Sequence, residues 1–249
     1  MTNNIEQHEE PFMHHIAILR TCLIRSLLAA ILCLVLTTYY AKEIYHYISL
    51  PMLKILPEGS HFITTHPIEA WATYFKTALF AALFMASPVL IFQVWSFVAP
   101  GLRLSEKKTT LAAIMASSVL FVFGGLFGYF VAFPFGFGYL SSVLTNTDIL
   151  YLPRMEDYLS FAFQLLLGFG LIFETPLAII LLVFLGIVDV ASLRAFRCYY
   201  IVLAFAVAAV LTPPDVVSQI IMGVPLLVLY EVGVFGAWLV QRKTHLAST

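Results

Sequence analysis

The sequence predicts an all-α, polytopic membrane protein built on six transmembrane helices, and three observations carry that prediction. Of 249 residues, 61% are hydrophobic and 11% charged, where an ordinary soluble chain is roughly a quarter charged. The mean hydropathy is +0.94, and so few charges cannot cover a water-facing surface. The apolar residues also fall into six long stretches, near the roughly 20 residues that cross a bilayer as helix. The length fits one membrane domain, residues 1–249. A net charge of −1 argues against a nucleic-acid surface. Cys22, Cys33 and Cys198 show no metal-ligand spacing, and Cys22 and Cys33 lie too far apart on one helix to bond, so no disulfide is expected. The N-terminus carries Glu6, Glu9 and Glu10 rather than a basic region, so no cleavable signal peptide is expected.

Residues 1–15 are polar and acidic and suit a short helix along the membrane surface. The first span covers about 16–40. Arg20 and Arg25 near its start can snorkel to headgroups, and Tyr39 and Tyr40 form an aromatic belt at its far end. Residues 41–70 form an outer loop broken by Pro51, Pro57 and Pro67, with a short interfacial helix over Lys42–Lys54 and a cap-like role. The second span covers about 71–98, with Lys76 near its outer end. The third covers about 111–133, where Gly124, Gly125 and Gly128 permit close helix contact and Pro134 ends the helix. Residues 134–157 form the second outer loop. The fourth span, about 158–187, is interrupted by Gln164, Glu174 and Pro176, and the proline invites a bend. Arg194 and Arg197 then mark a loop. The fifth span, 198–211, amounts to only about 21 Å of helix. The sixth covers about 216–240. The last two helices therefore read as short or partly wet.

The distribution of Lys and Arg orients the chain. Arg20, Arg103, Lys107, Lys108, Arg194, Arg197, Arg242 and Lys243 fall on the side of the termini, and Lys42, Lys54 and Arg154 on the other. The excess places both termini in the cytoplasm.

Inside the spans, a carboxylate is costly and functional by default. Glu174 sits near the middle of its span, either protonated or held by a polar partner; a purely structural tie to Gln164 or Gln219 remains open. Glu231 lies in the inner half of the sixth span and can reach interfacial water. Gln219 lies nearer the outer end and suits a bond to a neighbouring helix. No motif for zinc hydrolysis, a serine nucleophile or a phosphate loop is present. None of the seven histidines falls within a span, so no metal, cofactor or enzymatic chemistry is expected.

The stretch Phe92–Lys108 carries the functional reading. A helix ends in aromatics, Pro100-Gly101 stops it, and Glu106 stands among Arg103, Lys107 and Lys108. Glu106 is either a solvated loop acid paired with Lys107, or a dock for a cationic segment with Phe97 and Trp95 beside it.

Phe92-Gln-Val-Trp-Ser-Phe-Val-Ala-Pro-Gly-Leu102 followed by Glu106 resembles the cytoplasmic turn after the second span of the TatC family, the multispanning subunit of the twin-arginine translocase. Tyr129-Phe-Val-x-Phe-Pro134, Phe173-Glu-x-Pro176, Leu211-Thr-Pro-Pro-Asp215 and Tyr230-Glu-x-Gly233 resemble its other signatures in order. The resemblance implies six spans in a concave, cupped arrangement, in the cytoplasmic (inner) membrane. It implies binding of the twin-arginine signal peptides of folded cargo, and assembly with TatA- and TatB-like single-span subunits on the last two helices, driven by the proton gradient. Glu106, Phe97, Trp95 and Arg20 are the matching signal-peptide positions. Glu174, Gln219 and Glu231 are the intramembrane contacts, and Pro51 and Asp215 the outer-face positions. One departure stands out. The family has an acid in the run His15-Ile-Ala-Ile-Leu-Arg20 where this chain has Ile18, so either Glu9 or Glu10 substitutes or Glu106 acts alone. A proton-coupled small-molecule transporter using Glu174 is the alternative reading.

Overall fold

The computed structural model describes residues 3–54, 62–98, 107–144, 152–212 and 216–247. Among these, six stretches are long and apolar enough to cross a membrane: Ile16–Tyr39, Glu69–Phe97, Leu111–Tyr139, Met155–Phe184, Val190–Leu211 and Val216–Arg242. Strand-like pairing among the described residues is one isolated bridge between Ile63 and Arg154. Successive spans alternate in direction. They define a terminal face, where the described chain starts and finishes, and an opposite loop face.

Helix α1, Asn3–Tyr39, has 37 residues and is about 55 Å long. No turn separates the polar first residues from the span, which replaces the expected surface helix with a rod. Polar composition ends a membrane segment without ending a helix. Thr37 Oγ1 donates to the Ala78 carbonyl at 2.7 Å, pinning α1 to the second span.

Helix α2, Ala41–Leu53, forms the cap. Pro51, expected to break this segment, instead lies buried in its last turn. A proline lacks the N–H that would bond the carbonyl four residues back, which is that of Tyr47. Tyr129 Oη donates to that same carbonyl at 2.6 Å, so the oxygen keeps a partner and the third span is tied to the cap. Tyr158 Oη makes the matching tie from the fourth span, donating to the Ile48 carbonyl at 2.6 Å.

Helix α3, Glu69–Val98, starts from a carboxylate clamp that the sequence reading did not identify. Glu69 Oε2 accepts from the Thr65 N–H at 2.7 Å, the Thr65 hydroxyl at 2.9 Å and the His66 N–H at 3.2 Å. Arg154 stands 3.5 Å from the same oxygen. The Ile63 N–H donates to the Pro153 carbonyl, and the Met155 N–H to that of Ile63, stitching the two outer segments together. Lys76, expected to snorkel, pairs with Glu156.

The third span does not end at Pro134. Helix α4, Lys107–Phe127, passes through a π-helical turn, Gly128–Ala132, into α5, Phe133–Leu144. Pro134 is the second residue of α5 and directly follows the π turn, so its missing N–H falls where the helical ladder is already widened. Much of the expected second outer loop is therefore helix.

The fourth span is bent, as Pro176 predicts. Helix α6, Met155–Phe173, and α7, Thr175–Phe184, meet at Glu174, and Pro176 lies in the first turn of α7. The fifth span is not short. Helix α8 runs over Val190–Leu211, 22 residues and about 33 Å. The sixth is also long, since α9 covers Val216–Ala247. Arg194 and Arg197 sit inside α8 rather than in a loop, because a long side chain can carry its charge away from an apolar helix.

The core gathers residues of α2, α3, α5, α6, α8 and the first half of α9, with Phe133 and Phe169 almost fully buried. The Phe80 and Phe163 rings stack at 3.9 Å. A second cluster joins α7, α8 and α9 around Ile179, Val183, Leu193, Tyr230 and Val234. Helix α1 packs against α3, and α8 chiefly against α9, so the six helices form an open, concave arrangement.

Candidate functional site

The terminal-face end of α3 carries two of the sequence-predicted binding residues. Trp95 is buried and Phe97 half-buried. Helices α1 and α3 run antiparallel and are pinned where Thr37 meets Ala78. Arg20 is seventeen residues back from that pin and Trp95 seventeen forward, so equal rise sets the two at one level. Arg20 is exposed there, and Ile18, in the place of the absent acid, is half-buried. The fold thus sets Arg20, Trp95 and Phe97 at a similar level on the terminal-face side of the first two spans. Glu106 lies outside the described residues, immediately before α4 begins at Lys107. The side chains of Glu9 and Glu10 lie outside them too, as does Asp215.

Glu174 occupies the break between α6 and α7. Its expected tie to Gln164 or Gln219 is not what forms. Ser117 Oγ donates to Glu174 Oε2 at 2.6 Å, while Gln164 Nε2 donates to the Val210 carbonyl at 2.7 Å. Glycine makes the approach possible. A Cβ on Gly124 would lie 2.5 Å from the Phe169 carbonyl oxygen and 2.9 Å from the Phe173 Cβ. Only with a bare backbone there does α4 close on α6 and bring Ser117 within reach. The other oxygen, Glu174 Oε1, is buried without a hydrogen-bond partner among the described residues. Such an acceptor is costly to leave unmet and marks the spot as receptive to a donor. The one sequence signal for Ser117 is the polar pair Ser117-Ser118 within an apolar run.

Glu231 finds a base in the neighbouring helix rather than only interfacial water: Arg197 Nη2 lies 2.6 Å from its Oε2. Tyr230 beside it donates to the Leu193 carbonyl at 2.7 Å and stacks on Tyr200. Gly233 lets α9 close on α7, since a Cβ would meet Pro176 Cα at 2.9 Å. Gln219 is half-buried in the loop-face part of α9, and Pro51 lies on the loop face, remote from Trp95. Among the described residues no three His, Cys, Asp or Glu side chains converge as a metal ion would require.

This geometry defines a class, a multi-pass helical membrane protein with an acid held at a helix break inside the bilayer. The family model described as Sec-independent protein translocase protein (TatC) matches residues 14–225. A TatC of Azotobacter chroococcum is 44% identical over 96% of this chain and 93% of its own length. The TatC of Escherichia coli K12 is 39% identical over 91% of this chain and 87% of its own. Two crystal structures described as twin arginine translocase receptor TatC, one of them in DDM, are each 35% identical. They superpose with TM-scores of 0.78 and 0.81, covering 90% and 89% of this chain and 98% of theirs. The chain belongs to the TatC family and is a subunit of the twin-arginine translocase, a protein-transport machine. The small-molecule transporter that Glu174 raised as an alternative finds no support in these relatives.

Proposed function

We propose that this chain is the signal-peptide receptor and core subunit of its translocase. It sits in the cytoplasmic membrane with both termini in the cytoplasm and binds the twin-arginine signals of folded cargo at the terminal face. The observation that carries this reading is the match to solved relatives that are themselves described as receptors, at 35% identity over 98% of their length. The terminal-face geometry supports it, since Trp95, Phe97 and Arg20 lie at a similar level on the terminal face, at the end of α3 from which the chain runs on to Glu106. A carboxylate and a guanidinium form paired hydrogen bonds that an ammonium cannot copy, which accounts for a signal written in arginine. Single-span TatA- and TatB-like subunits complete a hetero-oligomer on the last two helices, and the proton gradient drives export.

An export assay with a twin-arginine cargo tests the site. Glu106→Gln lowers export, and Glu9→Gln/Glu10→Gln lowers it further if an N-terminal acid stands in for the one absent at Ile18. Undiminished export in all of these, or equal capture of twin-arginine and twin-lysine peptides by the purified protein, overturns the receptor reading.

A further inference from the structure

We propose that the cleft between α8 and α9 at the terminal face binds an anionic phospholipid, with Arg194 and Arg242 holding its phosphodiester. The cleft encloses about 280 Å³ and is lined by Arg194, Arg197, Glu231, Val234, Phe235 and Trp238. Its charges do not cancel. Arg197 and Glu231 neutralise one another at 2.6 Å. Arg194 is exposed and has no ion-pair partner among the described residues. Arg242 lies with its guanidinium carbon 5.7 Å from the centre of the ring of Trp238, a wall of the cleft, a cation–π contact that holds it beside the cleft without neutralising it. Asp189, at the start of α8, also forms no ion pair among the described residues. Even if it is counted, two guanidiniums in the cleft and a third against its Trp238 wall outnumber two carboxylates.

Depth and surroundings identify the ligand. Arg194 is the fifth residue of α8, about 6 Å along the helix, which matches the headgroup layer beyond a hydrocarbon core of roughly 30 Å. The walls are apolar and face outward: Phe235 is exposed, as are Val232 and Leu239 one turn to either side. Basic pockets between membrane helices at this level take anionic headgroups. A free phosphate would meet the guanidiniums but leave the apolar wall uncovered. A zwitterionic lipid would bring an ammonium against Arg194. An anionic phosphodiester on acyl chains satisfies both the charge and the wall. The assignment does not depend on the signal-peptide site and stands if that site fails.

Native mass spectrometry of the full chain in detergent, titrated with phosphatidylglycerol or phosphatidylcholine, tests it. Phosphatidylglycerol is retained selectively. Arg194→Gln/Arg242→Gln weakens retention by about fivefold for each guanidinium removed. Arg194→Lys/Arg242→Lys keeps most of it, and Lys42→Gln/Lys54→Gln on the opposite face leaves it unchanged. In a Trp71→Phe/Trp95→Phe background, brominated-chain phosphatidylglycerol quenches Trp238 more than brominated phosphatidylcholine does. Equal retention of the two lipids overturns the proposal and leaves the cleft to a peptide partner. Displacement by excess inorganic phosphate, or full retention by a normally folded Arg194→Gln/Arg242→Gln protein, overturns it as well.

Discussion

The two faces of this protein handle polar groups in opposite ways. On the loop face, Glu69 is clamped by backbone and hydroxyl donors, Arg154 bridges two carboxylates, and Tyr129 and Tyr158 bond the carbonyls of α2. On the terminal face, Arg20 and Arg194 are exposed without ion-pair partners among the described residues, and the pair that does form, Arg197–Glu231, is about half exposed. A face whose donors and acceptors satisfy one another is a fixed platform. A face that leaves guanidiniums unpaired has chemistry left for other molecules. Within one chain, the bonds a surface does not make to itself indicate where it works.

Substitutions that break the closed face have the largest expected effect. Glu69→Ala removes three hydrogen bonds and an ion pair together, and should lower the melting temperature in detergent more than any single charge removed from the terminal face. A smaller effect tests the proline–tyrosine device. Tyr129→Phe should cost about 1 kcal/mol, measured by reversible denaturation. In a Pro51→Ala background it should cost less, because the new N–H takes the Tyr47 carbonyl. A cost that is the same in both backgrounds would separate the two residues. On the terminal face, Glu231→Gln should change stability by about 0–1 kcal/mol, and adding Arg197→Gln should recover part of that. The smallest effect appears only at alkaline pH. Burial, with Tyr74 adding to it, holds the Tyr45 phenol well above its ordinary value, which is about 10. The folded protein therefore resists an ionisation that the unfolded chain accepts, so this contribution is complete below about pH 10 and is lost as the pH rises beyond it. Tyr45→Phe should flatten that decline without loss at neutral pH, since the Tyr45 hydroxyl is buried without a partner among the described residues.

Hydropathy alone made the six spans legible, because a chain in lipid must satisfy its backbone within helices. The bend at Glu174 was equally legible, since a proline two residues on has one local consequence. What misled was punctuation. Pro51 and Pro134 read as stops, yet both lie within helix, one in a last turn with a tyrosine hydroxyl replacing the missing donor and the other directly after a π turn that already widens the ladder. Arg194 and Arg197 read as loop, yet α8 carries them because their heads reach beyond its apolar surface. At the candidate site, Trp95, Phe97 and Arg20 were singled out by motif order alone. Glu69 was missed although its three hydrogen bonds are local, to Thr65 and His66. Ser117 was missed because its role depends on a contact across sequence, with Glu174. No local pattern encodes that kind of proximity.

The five-residue widening at Gly128–Ala132 has a consequence for how this chain can change. A π turn holds about one residue more than an α-helical turn, and one residue is about 100° of winding. The wider turn absorbs that residue, so Phe133 and Phe137 beyond it keep the phase that faces the core. Deleting one residue from the segment would turn it into plain α-helix with both rings still facing inward. Single-residue deletions should therefore be better tolerated here than inside α6, where one residue fewer rotates everything beyond it by about 100°.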